Sequence, residues 1–274
     1  MSLLEAIVLG IAQGLTEFLP ISSTAHLRII PAFAGWEDPG AAFTAVTQLG
    51  TMAAVLLYFR ADLRRISVAW LRSLRRPELR GELDARLGWY IILGTIPIGI
   101  FGLIFKDQIE TGARDLYLIG TMLIVLGLLL ALAEKVGTRT RDIDQIKRRD
   151  GLAIGFAQAM ALIPGVSRSG ATITAGLFLG LNRPAAARFS FLLSVPAVVL
   201  SGVLELGSIL SGEEGAGTSL IDLLVATALA FVTGYAAIAF LLRYLANHST
   251  AVFVVYRLVL GALVLVLVSA GTIE

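Results

Sequence analysis

The chain has no cysteine, only two histidines, and charged residues at 15% of its 274 positions. The absence of cysteine excludes disulfides, thiolate catalysis and metal sites with thiolate ligands. A water-soluble domain of this length needs far more charged surface, so the scarcity of charge excludes that class. Since 57% of the residues are hydrophobic, we predict a polytopic membrane protein. The net charge of +2 is too small to indicate nucleic-acid binding, and we expect no nucleic-acid partner.

Six apolar segments are long enough to cross a bilayer core, which needs about 20 residues of helix. They are residues 41–59, 87–105, 116–133, 185–206, 220–242 and 251–269. Two further segments, 3–30 and 151–181, are interrupted near the middle by proline and hydroxyl residues. Non-helical backbone at membrane depth is tolerated only inside protein or beside a wet cavity, so we interpret both as re-entrant helical hairpins. The predicted fold is an all-α polytopic membrane protein with about six transmembrane helices and two re-entrant hairpins.

The basic residues are concentrated in two of the predicted loops. One loop carries Arg60, Arg64, Arg65, Arg72, Arg75, Arg76, Arg80 and Arg86, and the other carries Lys135, Arg139, Arg141, Lys147, Arg148 and Arg149. Loops rich in lysine and arginine stay in the cytoplasm, so we place both there and expect the first to contact anionic membrane lipids. The alternate loops, predicted to lie outside, carry Glu37, Asp38, Lys106, Asp107, Glu110, Arg114, Asp115, Glu213 and Glu214. The first hairpin then enters from the outside and the second from the cytoplasm.

The two interrupted segments are near-copies of one another, and the similarity continues into later spans. At an offset of 145 or 146 positions, Gly10 matches Gly155, Gln13 matches Gln158, Ser23 matches Ser169, His26 matches Thr172, Phe43 matches Phe189, and Gly88 matches Gly234. Each copy contains an odd number of spans, which predicts an inverted-topology repeat. We predict one membrane domain with repeat 1 at about 1–134, a cytoplasmic linker at about 135–150 and repeat 2 at about 151–270. In this architecture the binding site lies where the broken segments meet.

The first interrupted segment places a carboxylate before Pro20 and hydroxyl and imidazole groups after it. Its polar residues are Gln13, Glu17, Ser22, Ser23, Thr24 and His26. The first two lie one helical turn apart and share a helix face. A carboxylate at membrane depth is costly unless it meets a cation or a cavity, so Glu17 is a functional candidate. Ser22 or Ser23 is positioned to cap a second half-helix, whose free N–H groups then face Glu17.

The second interrupted segment presents glycines, hydroxyl groups and one arginine after Pro164. These residues are Gly165, Ser167, Arg168, Ser169, Gly170 and Thr172. The glycines permit close backbone approach, and the hydroxyls lie at the N-terminus of another half-helix. A helix N-terminus with hydroxyls and a guanidinium forms an anion site suited to phosphate oxygens. Together the two segments predict one site at mid-depth for a phosphate group whose tail lies in lipid.

Structural interpretations of the same residues stay open at this point. Proline, glycine and serine in membrane helices often mark kinks or close packing, and Glu17 can pair with Arg168 as a structural bridge. His26 can cap a helix or reach the interface. Arg257 lies in the last span, about two turns from the predicted cytoplasmic end. It is a further charge at membrane depth, but at that position its side chain is able to reach the interface by snorkelling.

The run from Gln13 to His26 and the run from Pro164 to Thr172 closely resemble the two signature regions of the bacterial undecaprenyl-pyrophosphate phosphatase family, the bacitracin-resistance type. The resemblance covers nearly the whole chain, including a Tyr–Arg pair in the last helix. It implies hydrolysis of undecaprenyl pyrophosphate to undecaprenyl phosphate and inorganic phosphate, which recycles the lipid carrier of cell-wall synthesis and confers bacitracin resistance. It also implies a bacterial cytoplasmic (inner) membrane location and a polyprenyl pyrophosphate substrate, and it leaves the oligomeric state open, a dimer included.

The resemblance implies a role for each motif residue. The catalytic set is His26, Ser23 and Glu17; the pyrophosphate-binding set is Arg168, Ser167, Ser169, Thr172, Gly165 and Gly170; and the supporting set is Gln13, Ser22 and Thr24. Gln13 and Glu17 are the expected ligands of a divalent cation, Mg²⁺ or Ca²⁺, although Gln13 leaves one carboxylate fewer than two acidic residues provide. Attack by Ser23 activated by His26, by His26 itself, or by a water that His26 deprotonates all stay open. Because the first hairpin opens outward, we expect access from the extracytoplasmic side.

Two other functions fit parts of the sequence. Lipid phosphatases of the acid-phosphatase type use two histidines, but His248 is predicted at the cytoplasmic end of the last span, far from His26. Inverted repeats with broken helices are also a transporter architecture, so a transporter or flippase of a phosphorylated polyprenyl lipid is the alternative function. A transporter needs no nucleophile, and the proximity of Ser23 and His26 in the sequence therefore favours the enzyme.

Overall fold

A computed structural model describes residues 1–105, 115–210 and 219–273, which form α-helices and short 3₁₀ turns without any β-strand. The α-helices are α1 (Leu3–Phe18), α2 (Ser23–Ala34), α3 (Gly40–Tyr58), α4 (Arg60–Arg75), α5 (Leu83–Ile104), α6 (Leu116–Val136), α7 (Arg148–Ala159), α8 (Arg168–Phe178), α9 (Arg183–Leu210), α10 (Leu220–Asn247) and α11 (Ala251–Ser269). The 3₁₀ turns are Pro77–Gly81, Ile143–Gln145 and Met160–Leu162. The predicted all-α class is confirmed.

Five of the described helices are long and apolar enough to cross a membrane, namely α5, α6, α9, α10 and α11. A sixth span is obtained if α3 and α4, which meet at an angle of 73°, are counted together. The prediction of a polytopic protein with about six transmembrane helices is therefore confirmed. Six of the residues placed in outer loops, Lys106, Asp107, Glu110, Arg114, Glu213 and Glu214, lie outside the described part of the chain.

The arginine-rich segment was predicted as a loop, and most of it is helical. Helix α4 turns away from α3 and is amphipathic, with Leu71 and Leu74 exposed on its apolar side. Ion pairs hold it in place, because Arg188 of α9 donates to both carboxylate oxygens of Asp62 at 2.8 Å. A basic amphipathic helix joined at an angle to a span is the geometry of a helix that lies along a membrane surface. We predicted a loop because the arginines were interpreted as a topology signal and as a contact with anionic lipids, without regard to their helical spacing.

The two interrupted segments each consist of two short helices separated by a break, α1 with α2 and α7 with α8. Their packing is reciprocal: α1 packs along α10 of the second predicted repeat, and α7 packs along α5 of the first. These paired contacts agree with an internal repeat. The repeat boundaries, the inverted orientation and the re-entrant path of the hairpins stay predictions.

Glycine residues allow the backbones of α1 and α10, and those of α7 and α5, to approach closely. A Cβ atom on Gly10 would lie 2.5 Å from the carbonyl oxygen of Ala226 in α10, and one on Gly155 would overlap the backbone of Gly94 in α5. Helices that pack without side chains between them gain backbone van der Waals contact, which is a main source of association in membranes. The first half of each interrupted segment is thus fixed against the opposite repeat, and each break is held at a defined position.

Replacing Gly94 with alanine is expected to destabilise the protein by about 1–3 kcal/mol, the usual effect of overpacking. The added methyl carbon would lie 2.8 Å from the carbonyl oxygen of Gly151. Gly99 in the same helix is the matched control, because a Cβ there meets nothing within 4 Å. Thermal unfolding in detergent should show a lower midpoint for Gly94→Ala and an unchanged or higher one for Gly99→Ala. Equal midpoints would contradict the close-packed α5–α7 contact.

Candidate active site

The first break lies between Phe18 and Ser23 and ends in a serine cap. Ser22 is the N-cap of α2, and its hydroxyl oxygen accepts from the backbone N–H of Ala25 at 3.4 Å. Its φ of 76° is in the left-handed region, which a non-glycine residue adopts at a cost of about 1–3 kcal/mol. The sequence left Ser22 and Ser23 open as the cap, and Ser23 is instead the first residue of the helix.

The second break repeats this local geometry with different side chains. Ser167 is the N-cap of α8, has a φ of 71°, and accepts from the N–H of Gly170 at 3.1 Å. Two serine caps 145 positions apart therefore share the same strained backbone, and strain of this kind is concentrated at functional sites. Gly165 precedes the cap with a φ of 85°, and a Cβ there would lie 2.7 Å from the carbonyl oxygen of Ile119 in α6.

An ion pair joins the two broken segments. Arg168, the first residue of α8, donates through Nη2 to Oε1 of Glu17 at the end of α1. The other carboxylate oxygen, Oε2, accepts from Ser23 Oγ at 2.6 Å and from Gln13 Nε2 at 3.2 Å. The Glu17 and Arg168 side chains are 7% and 15% exposed. A serine hydroxyl, a carboxylate and a guanidinium are thus linked by direct hydrogen bonds where the two helix N-termini meet.

The remaining hydroxyls of the second segment bond to protein groups. Ser169 Oγ donates to the carbonyl oxygen of Leu19 at 3.0 Å, which ties the two breaks together a second time. Because the single hydrogen of Ser169 Oγ is used in that bond, Ser167 Oγ donates to Ser169 Oγ in the 3.2 Å contact between the two hydroxyls. Thr172 is fully buried, donates to the carbonyl oxygen of Arg168 at 2.7 Å, and contacts Ser190 Oγ at 2.6 Å. These three hydroxyls stabilise the second break, and Arg168 is the charged side chain that reaches from it to the first segment.

His26 is held by groups other than Ser23. Its Nδ1 lies 2.6 Å from the carbonyl oxygen of Ser22, and its Nε2 lies 2.6 Å from the hydroxyl of Tyr256. A carbonyl oxygen only accepts, so Nδ1 carries the proton, and in a neutral ring Nε2 accepts from Tyr256. The two rings are parallel to within 8°. His26 is 6% exposed, and the partly exposed Tyr256 lies beside it.

Arg257 is fully buried and does not reach the interface, so the snorkelling prediction is wrong. Its guanidinium donates to five backbone carbonyl oxygens, those of Pro20, Met122, Leu123, Gly165 and Val166, at 3.0–3.2 Å. The carbonyl groups of the two breaks provide an alternative to water for the guanidinium. The prediction failed because these partners are backbone atoms, which leave no pattern in the sequence.

Comparison with known proteins identifies the family to which this chain belongs. A family model described as bacitracin resistance protein BacA matches residues 6–263. The chain is 57% identical over 270 residues to the undecaprenyl-diphosphatase of Nocardioides sp. (strain ATCC BAA-499 / JS614), with 98% of each chain covered. It is 52% identical over 281 residues to that of Prosthecochloris aestuarii, with all of both chains covered, and 56% identical over 274 residues to that of Myxococcus xanthus, with 100% of this chain and 92% of the relative covered. The chain belongs to the BacA family.

The residues of the two BacA motifs are either at least partly exposed or buried. The at least partly exposed ones are Glu17 and Arg168 of the ion pair, Ser23 and Thr24. The buried ones are Gln13, Ser22, His26, Ser167, Ser169 and Thr172. The second histidine, His248, stacks on Tyr244 at the end of α10. A two-histidine site formed with His26 is therefore not found.

Sequence reasoning missed two contacts of this BacA site. Tyr256 is separated from His26 by 230 positions, and Ser190, which contacts Thr172, lies in a span that carries no motif. The signal available for Tyr256 was its position next to Arg257, a charged residue in an otherwise apolar helix. No comparable signal pointed to Ser190, since serine is common in membrane helices.

Whether a divalent cation fits this site depends on which oxygen atoms near Glu17 are available as ligands. Gln13 Oε1 is buried and has no hydrogen-bond partner among the described residues, so it is an oxygen ligand available for an ion. In the described part of the chain there is no group of three or more His, Asp or Glu side chains that would form a metal site made of protein alone. The residues therefore fit an ion that takes one or two protein oxygens and completes its shell with phosphate oxygens and water, as Mg²⁺ commonly does.

Removing one partner of the Glu17–Arg168 pair should cost about 3 kcal/mol, because it leaves a mostly buried charge without its counter-ion. The double variant Glu17→Gln with Arg168→Gln should be more stable than the sum of the two single losses predicts. The matched control is the ion pair of Arg65 with Asp84, whose arginine is 56% exposed and whose coupling should stay below about 1 kcal/mol. Denaturant unfolding of the three variants and the wild type gives the coupling free energy between the two side chains. Simple additivity at Glu17 and Arg168 would show that the pair contributes nothing.

Proposed function

We propose that this chain hydrolyses undecaprenyl pyrophosphate to undecaprenyl phosphate and inorganic phosphate, the reaction that the names of its relatives state for them. The observation that carries the proposal is the direct contact of Ser23, Glu17 and Arg168 at two facing helix N-termini. Two sets of free backbone N–H groups and one guanidinium favour a pyrophosphate, and a hydroxyl bonded to a carboxylate favours its cleavage. This activity recycles the lipid carrier of cell-wall synthesis and accounts for resistance to bacitracin.

The bound pyrophosphate replaces Glu17 as the partner of Arg168. A guanidinium forms two parallel hydrogen bonds with a phosphate as readily as with a carboxylate, and the phosphate carries more charge. Transfer of Arg168 to the terminal phosphate leaves Glu17 bonded to Ser23 at 2.6 Å. The carboxylate is then free to take the hydroxyl proton.

In the first chemical step Ser23 Oγ attacks the terminal phosphorus and its proton passes to Glu17 Oε2. The bond from that phosphorus to the bridging oxygen breaks, and undecaprenyl phosphate leaves with the bonding electron pair. The charge that develops on the transferred group is stabilised by Arg168 and by the N–H groups at the starts of α2 and α8. Of the three attack modes left open by the sequence, the contact with Glu17 favours attack by Ser23, with Glu17 in place of His26 as the base that activates it.

In the second step water attacks the phosphoserine, Ser23 leaves with the proton from Glu17, and inorganic phosphate is released. We assign His26 to this step, because its Nε2 is the acceptor nitrogen and lies at the first turn of the helix that begins with Ser23. Nδ1 keeps its proton on the carbonyl oxygen of Ser22, so Nε2 is the basic nitrogen, and it already accepts from the hydroxyl of Tyr256. The attacking water therefore passes its proton to the Tyr256 oxygen while the Tyr256 proton moves to Nε2.

A divalent cation, Mg²⁺ or Ca²⁺, would be held by Gln13 Oε1 and Glu17 and would neutralise charge on the phosphate oxygens. The location is the bacterial cytoplasmic membrane, with the site opening to the extracytoplasmic side. The basis for that orientation is the charge of the loops, since the two basic segments belong on the cytoplasmic side.

The detergent-purified protein should release phosphate from a long-chain polyprenyl pyrophosphate and should stop when a chelator is added. His26→Ala and Arg168→Ala should each lower turnover by at least about 100-fold, the scale of a lost acid–base group or transition-state donor. The matched controls are His248→Ala and Arg148→Ala, which remove the same side chains from exposed positions. Binding of the lipid without phosphate release by the wild type would contradict the enzyme and favour a transporter.

Rapid acid quenching should trap a phosphoserine on the peptide that contains Ser23. With substrate labelled in its terminal phosphate, Ser23→Ala should lose both label and turnover, while Ser22→Ala should keep the label on Ser23. His26→Ala should accumulate more label than the wild type, because it slows only the second step. An acid-labile label on His26, or turnover without any label, would overturn the serine mechanism.

A further inference from the structure

The most unusual group that the proposed steps leave unused is Arg257. It is 1% exposed and is the largest side chain buried to this degree. In the described part of the chain it forms no ion pair, and its partners are the five carbonyl oxygens of the breaks and of α6. A buried charge without a counter-ion is destabilising, and carbonyl dipoles compensate it only in part. A packing role alone is met more readily by a neutral side chain.

Arg257 bonds to backbone carbonyl groups of both breaks. Nη1 donates to the carbonyl oxygen of Pro20 at 3.1 Å in the first break, and Nη2 donates to those of Gly165 and Val166 at 3.0 and 3.2 Å in the second. One guanidinium therefore fixes the distance between two half-helix N-termini that are far apart in the sequence. Gly170 leaves room for it, because a Cβ there would lie 3.1 Å from Nη1.

The bonds to the second break also polarise the peptide group between Val166 and Ser167. In a trans peptide the carbonyl of one residue and the N–H of the next point in opposite directions, and the described residues contain no cis peptide. A cation on the carbonyl oxygen of Val166 therefore strengthens the N–H of Ser167 as a donor on the far side. That N–H has no acceptor among the residues that the structure describes.

We propose that Arg257 is a positioning residue of the pyrophosphate site, whose buried charge holds the two breaks in register and strengthens their N–H groups for the anion. It acts through the backbone of both breaks and does not touch the substrate. The proposal rests on the placement of the pyrophosphate at the two breaks under Proposed function. It assigns the effect on anion binding to the charge of Arg257 and part of the stability to the shape of its guanidinium, and these two contributions are separable by substitution.

The test compares Arg257→Lys, which keeps the charge, with Arg257→Gln, which keeps a donor and removes the charge. The probe is methylenebisphosphonate, a non-hydrolysable pyrophosphate, whose binding is measured by calorimetry alongside KM, kcat and the thermal midpoint. Arg257→Gln should weaken methylenebisphosphonate binding and raise KM by about tenfold, the scale of one partly screened charge interaction. Arg257→Lys should bind it within about threefold of the wild type, although it reaches fewer carbonyl oxygens and unfolds at a lower temperature.

Val264→Ala in the same helix is the control for lost stability, because Val264 is fully buried and lies outside the site. It should lower the midpoint without changing KM. If both Arg257 variants lose stability while their bisphosphonate binding and KM stay at the wild-type values, Arg257 is only a brace and the proposal is wrong. If Arg257→Gln does not fold, the neutral and unbranched variant Arg257→Met takes its place. Binding about tenfold weaker than that of Arg257→Lys supports the proposal, and equal binding by the two variants overturns it.

The same measurements separate this proposal from the one on which it rests. Arg168→Ala should abolish bisphosphonate binding if the anion lies at the two breaks. If Arg168→Ala binds normally, the placement of the pyrophosphate is wrong. If Arg168→Ala loses binding while Arg257→Gln keeps it, the placement stands and the role assigned to Arg257 fails.

Discussion

The contact between Glu17 and Arg168 is the interaction on which the rest of the structure depends. At membrane depth each of these charges is costly alone, so each requires the other or a charged ligand. Their contact forces two segments about 150 positions apart to end at the same point, and it orients both half-helix N-termini towards that point. An anion that carries more charge than a carboxylate then competes for the same guanidinium. The pair is thus a structural link between the two segments, and under the proposed function it is also where the pyrophosphate binds.

The surrounding structure fixes the position where the two half-helix N-termini meet, and the backbone of both N-caps is strained as a result. Close glycine contacts fix α1 against α10 and α7 against α5, so the half-helices cannot slide along their partners. Both N-caps are serines with positive φ, a conformation that tertiary contacts must maintain. Arg257 supplies part of that maintenance by binding the carbonyl groups of both breaks. Rigid elements with strained caps are the arrangement expected where donors must be positioned before the substrate arrives.

Much of this could be predicted from the sequence, because membrane spans and proline breaks leave strong local signals. The lengths of the apolar runs located the helices, and the two motifs indicated an anion site between them. The contacts that could not be predicted are of two kinds. Tyr256 meets His26 across 230 positions without any pattern to link them, and Arg257 bonds to carbonyl groups, which every residue has. Helix α4 was missed for another reason. The number of its arginines was used to predict a cytoplasmic loop, and their spacing, which is that of an amphipathic helix, was not considered.

A structure of the protein with methylenebisphosphonate bound would test the proposed site most directly. We expect one phosphate in contact with Arg168 and the N–H groups of both α2 and α8, with its phosphorus facing Ser23 Oγ. We also expect Arg168 to have left Glu17 for the phosphate, while Glu17 keeps its hydrogen bond to Ser23. A bisphosphonate held by only one of the two breaks, or bound at the opposite end of the helices with the ion pair of Glu17 and Arg168 intact, would show that the pyrophosphate does not bind between the two breaks.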